Sequence, residues 1–198
     1  MKCGTQLLLE MSRDSQLTLT IREYDPIYDQ ISFSRLSDEY VMDRRTPSLR
    51  HTLSKVFESD LPTYIRFIAY NLGEAVGFLA AEIRPPEALS NDHRERMTRS
   101  ERQSFQQGHT IRVNHLHVTE HMHKAGVSPR LIRRIMEEGN NEELNGIWIL
   151  RSEWTEEEQL KFQRSGFVRT AMDDKLWYPY LVNENQADRV GSSPLVRP

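Results

Sequence analysis

Leu116-His117-Val118-Thr119-Glu120-His121-Met122-His123-Lys124-Ala125-Gly126-Val127-Ser128-Pro129-Arg130-Leu131-Ile132-Arg133-Arg134-Ile135-Met136 passes from a strand pattern into a helical one. Strand character runs from Thr110 to Val118, where apolar and β-branched residues concentrate. After the loop, Leu131, Ile132, Ile135 and Met136 recur at the spacing of one helix face. A glycine loop that delivers a helix in this way presents the helix's first amides, which lack partners within the helix and carry the positive end of its dipole. Such an end binds anions, and a phosphate is its natural occupant. His123, Lys124 and Arg130 surround it with potential positive charge. An ordinary strand-to-helix connection would use the same residues differently: Gly126 would only allow a tight turn, and Ser128 would cap a helix with Pro129 at its first position.

Upstream, residues 64–70 and 75–83 are β-type runs joined by Asn71-Leu72-Gly73-Glu74, whose Asn and Gly are turn formers, so they predict a hairpin. Pro85-Pro86 stops it, and residues 85–108 form a polar insertion with a surface helix expected over 92–107. Excursions of that length often act as lids. Residues 17–22 alternate as a half-buried strand, and two helices follow. The first carries Ile27, Ile31, Leu36 and Tyr40 behind Pro26; the second, over 47–57, carries Leu49, Leu53, Val56 and Phe57.

Downstream, Gly139-Asn140-Asn141 is expected to end the long helix, and residues 146–150 read as a buried strand. Thr155-Glu156-Glu157-Glu158 is a capping box opening a helix through Phe162, which Gly166 closes. A last strand region extends from Phe167 through Trp177 to Val182. These elements form one domain over 17–182, between an N-terminal extension (1–16) and a polar tail (183–198) expected to be disordered.

Composition narrows the function classes. A chain of 198 residues, 37% hydrophobic, can bury one sizeable core. It has no apolar run long enough to cross a bilayer, and Leu7-Leu8-Leu9 is cut off by Glu10 too early for a signal peptide. A protein with no membrane partner, working in the cytoplasm, is expected. Cys3 stands alone, which excludes an internal disulfide and fits a reducing compartment. Lysine and arginine total 26 against 29 acids, so the overall field gives no reason to expect nucleic acid. Arg94, Arg96, Arg99 and Arg102 are interleaved with Asp92, Glu95 and Glu101, as on a solvated helix face.

The stretch 116–131 resembles the acetyl-CoA motif of the GNAT superfamily of N-acetyltransferases: a strand with Leu-x-Val, a short gap, Gln/Arg-x-x-Gly-x-Gly/Ala, then an amphipathic helix. His123 stands at the Gln/Arg position, Gly126 at the first glycine and Ser128 at the second. The two helices after strand one, Gly77 in the hairpin's second strand, and Phe162-x-x-x-Gly166-Phe167, which is similar to the Tyr-x-x-x-Gly-Phe close of the superfamily, extend the resemblance over 17–182. It implies a mixed α/β (α+β) fold, a central sheet of six to seven strands flanked by about four helices, with the helical insertion between strands 3 and 4.

The resemblance also implies transfer of an acetyl group from acetyl-CoA, as co-substrate, to a primary amine on a small molecule or peptide, by direct attack in a ternary complex. Leu116, His117 and Val118 would hold pantetheine, and His123, Lys124, Ala125, Gly126, Val127 and Ser128 the pyrophosphate. The reaction needs a base for the amine, donors for the oxyanion and an acid for the thiolate. Where relatives carry the acidic Tyr this chain has Phe162, leaving water, Ser152 or Tyr178 as substitutes. Where relatives carry the base it has Asn114 and Arg112. His115 and His117 lie on the opposite face of a regular strand, and a β-bulge would exchange the faces; His117 is the expected base. Four histidines fall within 115–123, yet no cysteine is near, so no metal site is expected. Phe162 and Ser128 also motivate an alternative, a protein of this fold that binds CoA or a partner without turnover.

Overall fold

The computed structural model describes residues 18–46, 48–59, 61–86, 108–141, 144–170 and 174–179, with Arg99, Arg102 and Gln106 between them. The expected N-terminal extension, the tail, and nearly all of the insertion helix lie outside the described residues, as do Cys3, Arg94 and Arg96.

In chain order the elements are β1 (Leu19–Glu23), α1 (Pro26–Arg44), α2 (Ser48–Glu58), β2 (Tyr64–Asn71), β3 (Glu74–Arg84), β4 (Thr110–Val118), a 3-10 segment Glu120–Ala125, α3 (Val127–Asn141), β5 (Gly146–Leu150), a 3-10 turn Arg151–Glu153, α4 (Glu156–Arg164), β6 (Val168–Arg169) and β7 (Lys175–Pro179). The strands form one seven-stranded sheet in the order β1-β2-β3-β4-β5-β7-β6. Only β4 and β5 pair in parallel; the other neighbours are antiparallel. Alternation along the strands feeds two cores. Ile68, Phe78 and Ala80 pack with Phe33, Leu36, Leu53 and Phe57 of α1 and α2. Phe67, Leu79 and Val113 pack on the other face with Leu131, Ile132 and Ile135 of α3 and Phe162 of α4.

Two expectations are corrected, on α1 and in the final strand region. On α1, Ile27 and Ile31 are 83% and 88% exposed, and the buried stripe is Asp29, Phe33, Leu36, Ser37, Tyr40 and Val41. At 100° per residue the two isoleucines fall on the side opposite Phe33 and Leu36. Asp29 replaces them in the interior because Arg22, Tyr70 and the Asp25 amide all donate to its carboxylate. The long helix α3 ends at Asn141, within the expected Gly139-Asn140-Asn141 stop, with Gly139 buried in its last turn. The final strand region is two short antiparallel strands, of which β7 lies between β5 and β6.

The capping box forms as the sequence predicts. Thr155 Oγ1 accepts from the Glu158 amide, while the Glu158 carboxylate accepts from the Thr155 amide. Thr155→Ala is therefore expected to lower stability by about 1 kcal/mol, read as a lower urea midpoint at unchanged slope.

Two irregularities shape β4. Its register against β3 slips between Ala80, which faces His115, and Ala81, which faces Val113, so Asn114 is an extra residue. This bulge moves Leu116 and Val118 into the core that holds Ile111 and Val113, and turns His115 and His117 towards α1. The pairing of β4 with β5 covers only Ile111 with Ile147 and Arg112 with Trp148. Beyond that point the two strands part.

Candidate active site

The divergence of β4 from β5 makes a cleft. Leu116, His117 and Val118 form one side, the start of α3 at Ser128 the end, and Thr155, Glu157, Glu158 and Lys161 of α4 the other side. Tyr40, Asp43 and Arg44 reach in from the last turns of α1. Gly77 keeps β3 close to this edge: a Cβ there would stand 2.6 Å from the His117 carbonyl oxygen.

At the α3 end, Gly126 closes the 3-10 segment with φ +73°, a left-handed conformation that favours glycine. The first helical hydrogen bond recorded there runs from the Arg130 amide to Gly126 O (3.4 Å), and the first turn contains no acidic residue. The amides of Val127 and Ser128 precede it and so lack helical partners. Ser128 is 5% exposed and lies inside the first turn rather than capping it. Pro129 follows at the third position, where its missing N–H breaks no helical bond. These features fit an anionic group such as a pyrophosphate. His123 folds back so that its Nε2 lies 2.7 Å from the Val118 carbonyl oxygen.

On the α1 side, His117 is 6% exposed and packs against Tyr40 and Phe78 at ring distances of 5.5 and 5.7 Å. Its Nε2 has no hydrogen-bond partner, and Glu39 Oε2 stands 3.6 Å away. Burial lowers the imidazole's pKa, with Glu39 opposing, so the ring is neutral at pH 7. Tyr40 Oη is 3.5 Å from His115 Nδ1, and burial raises the phenol's pKa to about 12. Arg44 spans the cleft mouth: it donates to Glu158 Oε1 (2.5 Å) and to the Glu153 carbonyl oxygen (3.0 Å), and sits over the rings of Tyr40 and Trp154.

The cleft therefore brings together Leu116, His117, Val118, His123 and Ser128, with Lys124, Ala125 and Gly126 in the adjoining loop and Val127 opening α3. Ser152 is exposed in the 3-10 turn, and Tyr178 packs against Phe167 and beside Gly166; neither lines the cleft. Phe162 is fully buried, edge-on to Trp154 and Phe167. Among the described residues no three His, Cys, Asp or Glu side chains gather as metal ligands, and no helix is long and apolar enough to cross a membrane. Sequence reasoning missed Glu39, Tyr40, Asp43 and Arg44. Two pairs at i, i+4 on one helix were the available signal.

Burial, then the charges of Arg44 and Arg112, push the His115 imidazole down from 6.5 to about 4. Between those values the unfolded chain binds a proton that the folded chain refuses, so stability rises with pH across this window. Acidification from pH 6.5 towards 4 is expected to remove up to about 3 kcal/mol. In urea unfolding at pH 7 and 4.5, His115→Gln should show a smaller loss than the parent.

The fold is that of the GNAT acetyltransferases. Neither a family model nor a curated relative matches the sequence, so the likeness is one of structure. The aminoglycoside N-acetyltransferase AAC(6')-Iy, solved with a CoA-linked acetylneamine bisubstrate analogue, matches with a TM-score of 0.56 at 18% identity, over 77% of this chain and 92% of its own. A predicted acetyltransferase of Clostridium acetobutylicum solved with acetyl-CoA matches with a TM-score of 0.57 at 11% identity, over 77% and 91%. The aminoglycoside 6'-N-acetyltransferase AAC(6')-Ih of Acinetobacter baumannii matches with a TM-score of 0.53 at 12% identity, over 77% and 92%.

Proposed function

We propose that the protein is an N-acetyltransferase that uses acetyl-CoA as co-substrate and acetylates a primary amine on a small molecule by direct attack in a ternary complex. The observation that carries this reading is the parting of β4 from β5, which leads from the open edge at Leu116, His117 and Val118 to the acid-free first turn of α3. That edge and turn suit pantetheine and pyrophosphate respectively. The amine nitrogen attacks the thioester carbonyl carbon, forming the C–N bond as the C–S bond breaks. His117, buried and neutral, takes the amine proton, and Glu39 stabilises the imidazolium that forms. With Phe162 in the core and Ser152 and Tyr178 outside the cleft, water carries a proton to the thiolate, a tolerable leaving group with a pKa near 8.5. The aminoglycoside acetyltransferases among the solved neighbours support a small-molecule acceptor. On this reading the protein works in the cytoplasm.

A second reading, CoA binding without turnover, is favoured by Phe162, which stands fully buried in the core and carries no proton for the departing thiolate. Two measurements separate them. Under the first reading acetyl-CoA raises the melting temperature and free thiol appears with an amine acceptor. A rise in melting temperature with no thiol across an amine panel selects the second, and neither effect removes both.

A further inference from the structure

Tyr40 and Arg44 also line a second cavity, of about 390 Å³, on the α2 side. Its size lies within the roughly 300–1,000 Å³ of small-molecule sites. Because the two cavities share these residues, a molecule seated in the second lies next to the cleft, against Tyr40 and Arg44. Leu49 and Val56 of α2 form an apolar wall, and charged residues of β3 and β4 form the opposite one.

The charges are mixed, and their arrangement is specific. Three guanidinium groups, of Arg44, Arg84 and Arg112, line the cavity against two carboxylates, of Glu82 and Glu153. The carboxylate that meets Arg44 is Glu158, which lies in the cleft instead. A polycation would thus meet more positive than negative groups, whereas a molecule carrying both charges finds a partner for each. Arg112 has capacity to spare. One terminal nitrogen meets Glu153, while its Nε is buried without a hydrogen-bond partner, and the guanidinium is seated over the Trp148 ring at 5.4 Å. Exposed ion pairs across a strand pair contribute little and signify little, but the side chains of Arg112 and Glu82, paired in register, are only 20% and 22% exposed. Charges that far from water need partners: Glu82 has Arg84, whose Nε lies 3.1 Å from its carboxylate, and Arg112 has Glu153 on one nitrogen, while the planar arginine fork also matches a ligand carboxylate.

We propose that this cavity binds amines that carry a carboxylate, of the free amino-acid type, with Arg112 holding the carboxylate and Glu82 and Glu153 facing the ammonium group. That such a molecule is the acetyl acceptor rests on the acetyl-transfer reading; that it binds does not.

The test is calorimetric titration of the protein saturated with CoA, which permits no turnover, with phenylalanine and with phenethylamine, which lacks only the carboxylate. Phenylalanine should bind at least about tenfold more tightly. Arg112→Gln should erase that difference without weakening phenethylamine, and Arg112→Lys, which keeps the charge but not the fork, should retain part of it. Equal or tighter binding of phenethylamine, binding of neither, or an equal loss of both in the folded Gln variant overturns the proposal. If the preference holds but no thiol is released from acetyl-CoA with phenylalanine or with any other amine of the panel, the acetyl-transfer reading fails and the cavity's selectivity stands. Thiol release confined to phenethylamine or to polycationic amines keeps the enzyme and removes the proposal.

Discussion

Gly126→Glu is expected to weaken acetyl-CoA binding at least about 100-fold, because it sets a carboxylate at the mouth of the first turn of α3. Two like charges about 4 Å apart at a protein surface repel by roughly 4 kcal/mol, more than the ~2.7 kcal/mol that a 100-fold loss requires. The substitution has a second effect that must be separated from the first. Gly126 has φ +73°, and any side chain there strains the backbone by about 1–2 kcal/mol. Gly126→Ala carries the same strain without the charge, and its Cβ meets no atom within 4 Å. Both variants should lose similar stability, while only the glutamate variant loses affinity by calorimetry. A folded glutamate variant that binds acetyl-CoA as well as the alanine variant would sink the assignment of the pyrophosphate to this loop.

His117→Gln is expected to lower the turnover number for thiol release about 10³-fold, within the range that one positioned base contributes, and to leave acetyl-CoA affinity nearly unchanged, because pantetheine would meet the main chain at 117 rather than the ring. The pH profile distinguishes a base from a packing residue. Burial holds the imidazole below its ordinary 6.5, so kcat/KM of the parent should be flat near neutrality and fall only at lower pH, as the ring protonates and can no longer accept. The glutamine variant should lack that limb. An unaltered acid limb in the variant would assign the base elsewhere.

Much of the fold was legible because local patterns and tertiary burial agree. The bounds of β4, the capping box at Thr155 and the helix-closing glycine at 166, with φ +100°, follow from chemistry within a few residues. The bulge was half legible. Apolar residues stand at 111 and 113 and then at 116 and 118, and this change of phase in the alternation marks the extra residue at Asn114. What sequence spacing could not supply was the α1 wall. Tyr40 and His115 are 75 residues apart, and they meet because the bulge turns the histidine towards α1. The exposed Ile27 and Ile31 showed how far apolar residues alone mislead on a helix whose buried stripe includes Asp29. The splay of β4 from β5 is likewise a property of the assembled sheet: nothing within either strand states that pairing stops at Arg112 and Trp148.

The central claim is that the space between β4 and β5 holds acetyl-CoA, and a crystal structure grown at saturating acetyl-CoA tests it most directly. The expected result is pantetheine along the main chain of Leu116 to Val118, pyrophosphate on the amides of Gly126 to Ser128, and His123 moved off the Val118 carbonyl. Cofactor density elsewhere on the protein, or none between β4 and β5 at saturation, would contradict it.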